Sequence, residues 1–340
     1  MTRHGTTPHF TDLGEGLHQI STPFGPGSVV VFLLRAERTV LIDAGVFGTP
    51  SRILRPALAE LGLRLDDVDT VIGTHAHVDH RGGMAELQLA GAEIAAAPFE
   101  APLFESNAPL VNATAHIYER LGFPAAADAR RAMLADLLGG PAAVSQTLRG
   151  GDIVTVGDGI SLEVVETPGH TEGSISLYWR ERQGLFTGDA VGGQTDEGRL
   201  PVTEAPQLLE SGLDRIRALD PAFLWMAHDS RLAGVTSGNV AAGRESARAL
   251  VDATATVHRV IEAAVRSIHE AEPGLPDAEF VRRAGAVLRE RWDLMADPRT
   301  GLPGPVPATL LSYVDAVRST PAPGTAAGDA GGVPEHDRDS

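Results

Sequence analysis

The chain has 340 residues and a formal net charge of −17, which argues against a nucleic-acid backbone or an anionic membrane as its main partner. Its hydrophobic content of 43% is ordinary for a globular protein, and the length suits one large domain or one domain with a substantial appendage. Cysteine is absent, so disulfides, thiolate nucleophiles and Cys-based zinc sites are excluded together, and all 28 basic residues are arginine. No apolar run approaches the roughly 20 residues of a membrane-spanning helix, and MTRHGTTPHF has no apolar core of a secretory signal. The expected location is the cytoplasm.

In chain order, residues 1–12 are polar and expected to be flexible. LHQIST, SVVVFLLRA and TVLIDAG then read as strands bounded by Gly, Pro or charged residues. SRILRPALAELGL carries Ile53, Leu54, Leu58 and Leu61 near helical spacing and stops at Gly62. The strand DTVIGTHAH, the short helix GGMAELQLAG and the strand AEIAAAP complete an alternation of strand and helix, which implies a sheet with helices outside it. Residues 100–148 break this rhythm with apolar residues at helical spacing and read as a helical insertion. Strands resume at GDIVTVGDG, ISLEVVETPG, SISLYWRE and GLFTGD, followed by a helix over residues 204–219 and the strand AFLWMAH. Helical patterns then cover 239–271, 277–295 (with Asp277 as N-cap) and 307–318, and the Pro/Gly/Ala-rich tail from Thr320 is expected to be disordered.

Five histidines and two aspartates stand at the ends of the apolar strands: His75, His77, Asp79 and His80 in THAHVDHRGG, His170 in TPGHTEGS, Asp189 in FTGDA and His228 in MAHDS. Imidazole and carboxylate donors together suit Zn(II), Fe or Mn rather than Ca or Mg. His75 and His77, two apart on an extended segment, project to one side and can grip one ion, while Asp79 and His80 on the following turn face a second. The remaining histidines read as ordinary surface or core residues, with His116 in the insertion the one placed to reach substrate.

This motif set resembles the metallo-β-lactamase superfamily over about residues 16–232. The resemblance implies an α+β fold, an αββα sandwich with the site along its sheet edges. The expected organisation is a flexible segment at 1–12, the sandwich at 13–235 with its helical insertion at about 100–148, a helical C-terminal extension at 236–319 and a disordered tail at 320–340. Carried over by motif, His75, His77 and His170 would hold one metal and Asp79, His80 and His228 a second. Asp189 would bridge them, and Asp43 of LIDAG would support the site without ligating. The implied cofactors are two Zn(II) per chain, with Fe or Mn as alternatives.

Two such ions lower the pKa of a bridging water towards neutrality, so no protein nucleophile is required, and Asp79 and Asp189 orient that water. Within the superfamily, Asp189 argues against antibiotic hydrolysis, because true β-lactamases usually lack the bridging aspartate. His77 argues against the diiron flavoproteins, which carry Glu there, and the acidic charge argues against the tRNA-processing nucleases. The branches that remain resemble glyoxalase II, thioesterases and lactonases, so thioester or ester hydrolysis of a small acyl substrate is expected. Lactone hydrolysis is the first alternative. A mononuclear iron persulfide dioxygenase is the second, although GGQTDEGRL stands where those enzymes carry an Arg-Thr-Asp segment. Tyr118, Arg120, His116 and Asn112 are the polar candidates for substrate contact, with a solvated helix face as their alternative. Phe47 and Trp179 are candidates for an acyl pocket, although Trp179, at a strand end, reads better as core. The C-terminal helices could cover the substrate or form a homodimer interface.

Overall fold

The computed structural model describes residues 9–25, 27–192, 200–232, 235–292, 294, 300–302 and 307–319. The chain begins with β1 (His9–Gly14), β2 (Leu17–Phe24), β3 (Gly27–Arg35) and β4 (Thr39–Ile42). A π-helical turn, Pro50–Leu54, runs into α1 (Arg55–Glu60), followed by β5 (Thr70–Gly73), α2 (Val78–Arg81), α3 (Met84–Ala90) and β6 (Glu93–Ala96). The stretch read as a helical insertion holds α4 (Ala101–Glu105), α5 (Ala108–Arg120), α6 (Pro124–Leu137) and the short β7 (Gln146–Thr147). Next come β8 (Ile153–Gly157), β9 (Ile160–Glu166), β10 (Ile175–Trp179), β11 (Gly184–Gly188), α7 (Pro206–Leu219), β12 (Phe223–Leu232) and β13 (Thr236–Ala242). The C-terminal helices are α8 (Arg244–Ala271), α9 (Asp277–Arg289) and α10 (Pro307–Ser319).

Among the described residues, β1 to β7 form one sheet in sequence order, and the other runs β13-β12-β11-β10-β9-β8. The sheets face each other over a shared apolar core. In β3, Val30, Phe32 and Leu34 point inward to meet Leu162, Leu177, Trp179, Phe186 and Trp225 of the second sheet. The alternate residues Val31 and Leu33 point outward and pack with Leu54, Leu58, Met84 and Leu87 of the helices over the first sheet. Likewise Tyr178, Leu185 and Leu224 turn outward beneath Leu209, Leu213 and Leu250 of α7 and α8. Strands covered on both faces need apolar residues on both, which is why they read as unbroken hydrophobic runs. The result is the expected αββα sandwich.

Three expectations need correction. Residues 9–14 are not loose: they form β1 against β2, where Phe10 stacks on His18 with ring centroids 4.9 Å apart. Residues 1–8 and the tail from 320 lie outside the described residues. The helix expected from residue 239 starts at Arg244, because Thr236–Ala242 pairs antiparallel with β12 as an edge strand. Asp277 is the first helical residue of α9 rather than its N-cap, and its carboxylate instead accepts hydrogen bonds from Arg120 and Arg318. Trp179, 2% exposed in the core between the sheets, follows the core reading of its strand-end position.

The C-terminal helices bury their apolar faces against one another. Val257, Ile261 and Val265 of α8 meet Phe280, Val281 and Leu288 of α9 and Leu310, Leu311 and Val314 of α10. Leu121, with Ile117 of α5 behind it, joins the same cluster, so the helical stretch at 100–148 and the C-terminal helices share one apolar interior.

Candidate metal centre

The strand ends converge where the two sheets meet. The amide of Ile175 donates to the carbonyl of Thr74 at 3.0 Å, tying the end of β5 to the start of β10. Gly188, at φ +50° on the end of β11, lies where a Cβ would come within 2.7 Å of the Thr74 hydroxyl. Only glycine permits that approach, and Asp189 follows it directly. His75 follows β5, His77 sits at the N-terminal boundary of α2 in an extended conformation, and Asp79 and His80 lie within α2. His170 stands in the loop between β9 and β10. His228 is inside β12 rather than after it, in a stretch where the register with β13 breaks between Trp225 and Ser230. Such an irregularity re-aims side chains, here towards the other donors.

Three imidazole nitrogens meet at one point. Nε2 of His170 lies 3.1 Å from Nε2 of His75 and 2.8 Å from Nδ1 of His77. Donors around a tetrahedral zinc at Zn–N of about 2.0–2.1 Å stand roughly 3.3 Å apart, so the spacing fits one ion. Beside them, Nε2 of His228 lies 3.1 Å from Oδ2 of Asp79, and Nε2 of His80 lies 3.7 Å from the same oxygen. Asp189 touches both sets: its Oδ2 is 3.4 Å from His170 and 3.5 Å from His228, and its Oδ1 is 3.5 Å from His80. Nε2 of His80 and Oδ1 of Asp189 are buried and have no hydrogen-bond partner among the described residues, as donor atoms directed at a cation do. The groups His75/His77/His170, His75/His80/Asp189 and Asp79/His80/His228 can each hold a metal ion.

The ring nitrogen that points away from this centre is bonded on every one of the five histidines. His80 Nδ1 faces Asp43 Oδ2 at 2.8 Å, and His75 Nδ1 faces the Thr74 hydroxyl at 3.1 Å, which in turn donates to Asp43. His170 Nδ1 faces the carbonyl of Val202 at 2.8 Å, and His228 Nδ1 faces that of Ser28 at 2.8 Å. His77 Nε2 faces Glu204 Oε1 at 2.8 Å. In the neutral ring each acceptor fixes the proton on the outer nitrogen and leaves the inner one with a free lone pair, the tautomer a metal ligand needs.

Electrostatics support a cation here. Burial, reinforced by the neighbouring imidazoles, holds His75 well below its usual value, and burial holds His170 down to about 4. Burial opposes charge on His228 as well, but Asp189 and Asp79 outweigh it and raise that group to about 9. Burial also opposes ionisation of Asp79, yet His80 and His228 lower it to about 2.

The segment Pro201–Glu204 supplies Val202 and Glu204 to two of these histidines and is itself held by α10. Thr309 donates to the carbonyl of Pro201 at 3.0 Å and accepts from the amide of Thr203 at 3.2 Å. Ser312 donates to the carbonyl of Thr203. A narrow cleft beside His170 and Asp189 is lined by Val202, Leu209, Val257 and Ile261, with Thr254, His258 and Tyr313 as its polar groups. Nδ1 of His258 lies 2.6 Å from the Tyr313 hydroxyl.

The candidate substrate residues fare differently from the metal set. Arg120 pairs with Asp277 of α9 and Asp315 of α10 at 2.8 Å each, so it ties helices together instead of facing the centre. His116 is exposed and lies 3.5 Å from Glu119 on its own helix. Asn112 is exposed and Tyr118 half-buried on α5, while Phe47 is 49% exposed. Glu204, Thr74, His258 and Tyr313 were missed. Thr74 precedes His75 but is no ligand type, Glu204 lies outside every motif in PVTEAP, and the helical spacing around His258 reads as plain core.

Residues 24–228 match the metallo-beta-lactamase superfamily. The chain is 25% identical over 234 residues to the probable metallo-hydrolase YqjP of Bacillus subtilis, covering 64% of this chain and 72% of that protein. It is 31% identical over 191 residues to the acyl-coenzyme A thioesterase MBLAC2 of Gallus gallus, covering 53% of this chain and 64% of that one, just under two thirds of its length. A metallo-beta-lactamase family protein from Thermus thermophilus shares the fold with a TM-score of 0.66 at 22% identity, covering 90% of this chain and 94% of that one. Strand order, converging donors and the match over residues 24–228 lead to one assignment: the chain belongs to the metallo-beta-lactamase superfamily.

Proposed function

We propose that the protein is a cytoplasmic dinuclear zinc hydrolase that cleaves the thioester or ester bond of a small acyl substrate. The observation that carries this reading is Asp189, whose two carboxylate oxygens reach histidines of both donor sets at 3.4–3.5 Å. Similarity to an acyl-coenzyme A thioesterase supports the acyl-thioester class. His75, His77 and His170 would hold one ion, Asp79, His80 and His228 the other, and Asp189 both. Ions so held supply Lewis acidity towards the acyl carbonyl and acidify a water.

The protein's own residues do the rest. Asp79, at about 2, and Asp189, which His228 and His80 hold well below the usual carboxylate range against the opposing effect of burial, are ionised at neutral pH. They therefore act as acceptors that orient the attacking water. Water adds to the acyl carbon, the C–S or C–O bond breaks, and the products are a carboxylate and a thiol or alcohol. No covalent enzyme intermediate is needed, in keeping with a chain without cysteine.

The test joins elemental analysis to a substrate panel of acyl-coenzyme A thioesters, aryl esters, lactones and a persulfide with oxygen. About two zinc per chain and release of free thiol are the expected results. Lactone opening without thioester cleavage would replace the substrate class. One iron per chain with oxygen consumption would replace the reaction itself.

A further inference from the structure

Glu100 follows β6 in the segment APFEAP and immediately precedes α4. Its side chain is fully buried, at 0% exposure. Oε2 accepts from the amide of Ala76 at 2.8 Å. Oε1 accepts from the hydroxyl of Thr171 at 2.7 Å and from the amide of Gly173 at 3.1 Å. Ala76 lies between His75 and His77, and Thr171 follows His170. One carboxylate thus joins the two loops that carry the three converging imidazoles.

Two further features show that this is a built contact. A Cβ on Gly173 would stand 2.7 Å from Oε1 of Glu100 and 2.8 Å from its Cγ, so only glycine lets the second loop close on the carboxylate. The three groups around Glu100 are all donors, and an ionised carboxylate is an acceptor-only group that meets them all. A buried carboxylate without a cationic partner is costly, and among the described ion pairs none involves Glu100. Burial accordingly raises its carboxyl above the usual value. A glutamine would satisfy one loop and press its NH2 against a donor of the other.

We propose that Glu100 is a positioning residue for the metal centre, holding the loop of His75 and His77 at the correct distance from the loop of His170. It touches neither substrate nor ion. This inference rests on the reading of the site as a two-metal centre and adds the element that sets the spacing of its first donor set.

The experiment is a zinc titration of metal-free protein against a chromophoric chelator, with the Tm of the metal-free form as the check on folding. The variants are Glu100→Gln, Thr171→Val and, as a surface control, Glu60→Gln. The expected result is that Glu100→Gln weakens one of two zinc equivalents by about 10–100-fold. Thr171→Val weakens the same equivalent by a smaller factor, and Glu60→Gln leaves both unchanged. A purely structural role would lower the Tm and leave zinc affinity alone. Zinc affinities within twofold of the parent in folded Glu100→Gln overturn the proposal; should that variant not fold, the same result in Thr171→Val does so. If the parent takes up no zinc, the reading of the centre fails first, which separates the two failures.

Discussion

Nδ1 of His80 faces Oδ2 of Asp43 across 2.8 Å, and Asp43 reaches that position with a left-handed backbone at φ +64°. The same carboxylate accepts from the amide and hydroxyl of Thr74, which also contacts His75. Non-glycine residues hold such a φ only where their surroundings insist on it, and here the insistence comes from both donor sets. Asp43→Asn keeps the backbone preference, because Asn tolerates this region. It places an NH2 against either His80 or the Thr74 amide. The expected outcome is zinc affinity lower by about 10–100-fold with near-parental folding, read by chelator competition and circular dichroism.

Asp189 links the donor sets, so its removal should affect occupancy and turnover together. Asp189→Ala is expected to abolish turnover and to lower zinc content below that of the parent, measured by elemental analysis and thiol release. A variant with parental turnover would defeat the two-metal mechanism.

Proton release accompanies metal uptake. His228 is raised to about 9 in the metal-free protein, and a ligating imidazole must be neutral. Below that value each pH unit should weaken apparent zinc affinity about tenfold for this proton alone. His80, raised by Asp189 and Asp43 against the effect of burial, adds to the slope. The folding of the metal-free form has the opposite sign. The stabilisation from the His228 ion pairs is complete below the unfolded value of about 6.5 and is lost as pH rises through about 9. That from Asp79 is present above its unfolded value of about 3.8 and is lost as pH falls through about 2. Calorimetry in buffers of different ionisation enthalpy counts the released protons, and thermal melts across pH check the second part.

Thr309 of α10 bonds twice to the segment that carries Val202 and Glu204. Thr309→Val keeps the shape and removes both bonds, leaving the buried amide of Thr203 and the half-buried carbonyl of Pro201 without these partners. A loss of about 1–3 kcal/mol in stability is expected from unsatisfied buried groups. Weaker zinc binding should accompany it, since His170 and His77 lose their backing.

Arg120 joins α5 to α9 and α10 and does not reach the centre. Arg120→Met should therefore lower stability by about 1 kcal/mol or less, the range of partly exposed ion pairs, and leave KM unchanged. A raised KM with unchanged stability would return Arg120 to the substrate site.

Sequence alone determined the layers and named the candidate donors that the fold brings together. Strands covered on both faces must be apolar throughout, so SVVVFLLRA and GLFTGD declare themselves, and histidines and aspartates at strand ends have a distinctive spacing that no core requires. It did not reveal β13, whose residues TSGNVAA lack a strand pattern and pair only because β12 offers an open edge. Nor could it place Glu100, Glu204 or Thr309, since each acts on a loop far away in the chain. Arg120 and Trp179 show the converse: their chemistry admits a role in binding, and packing assigns them to a helix tie and a core instead. Ligand identity is local and carried by residue type. Ligand support is a matter of distance between distant segments, and only the folded chain decides it.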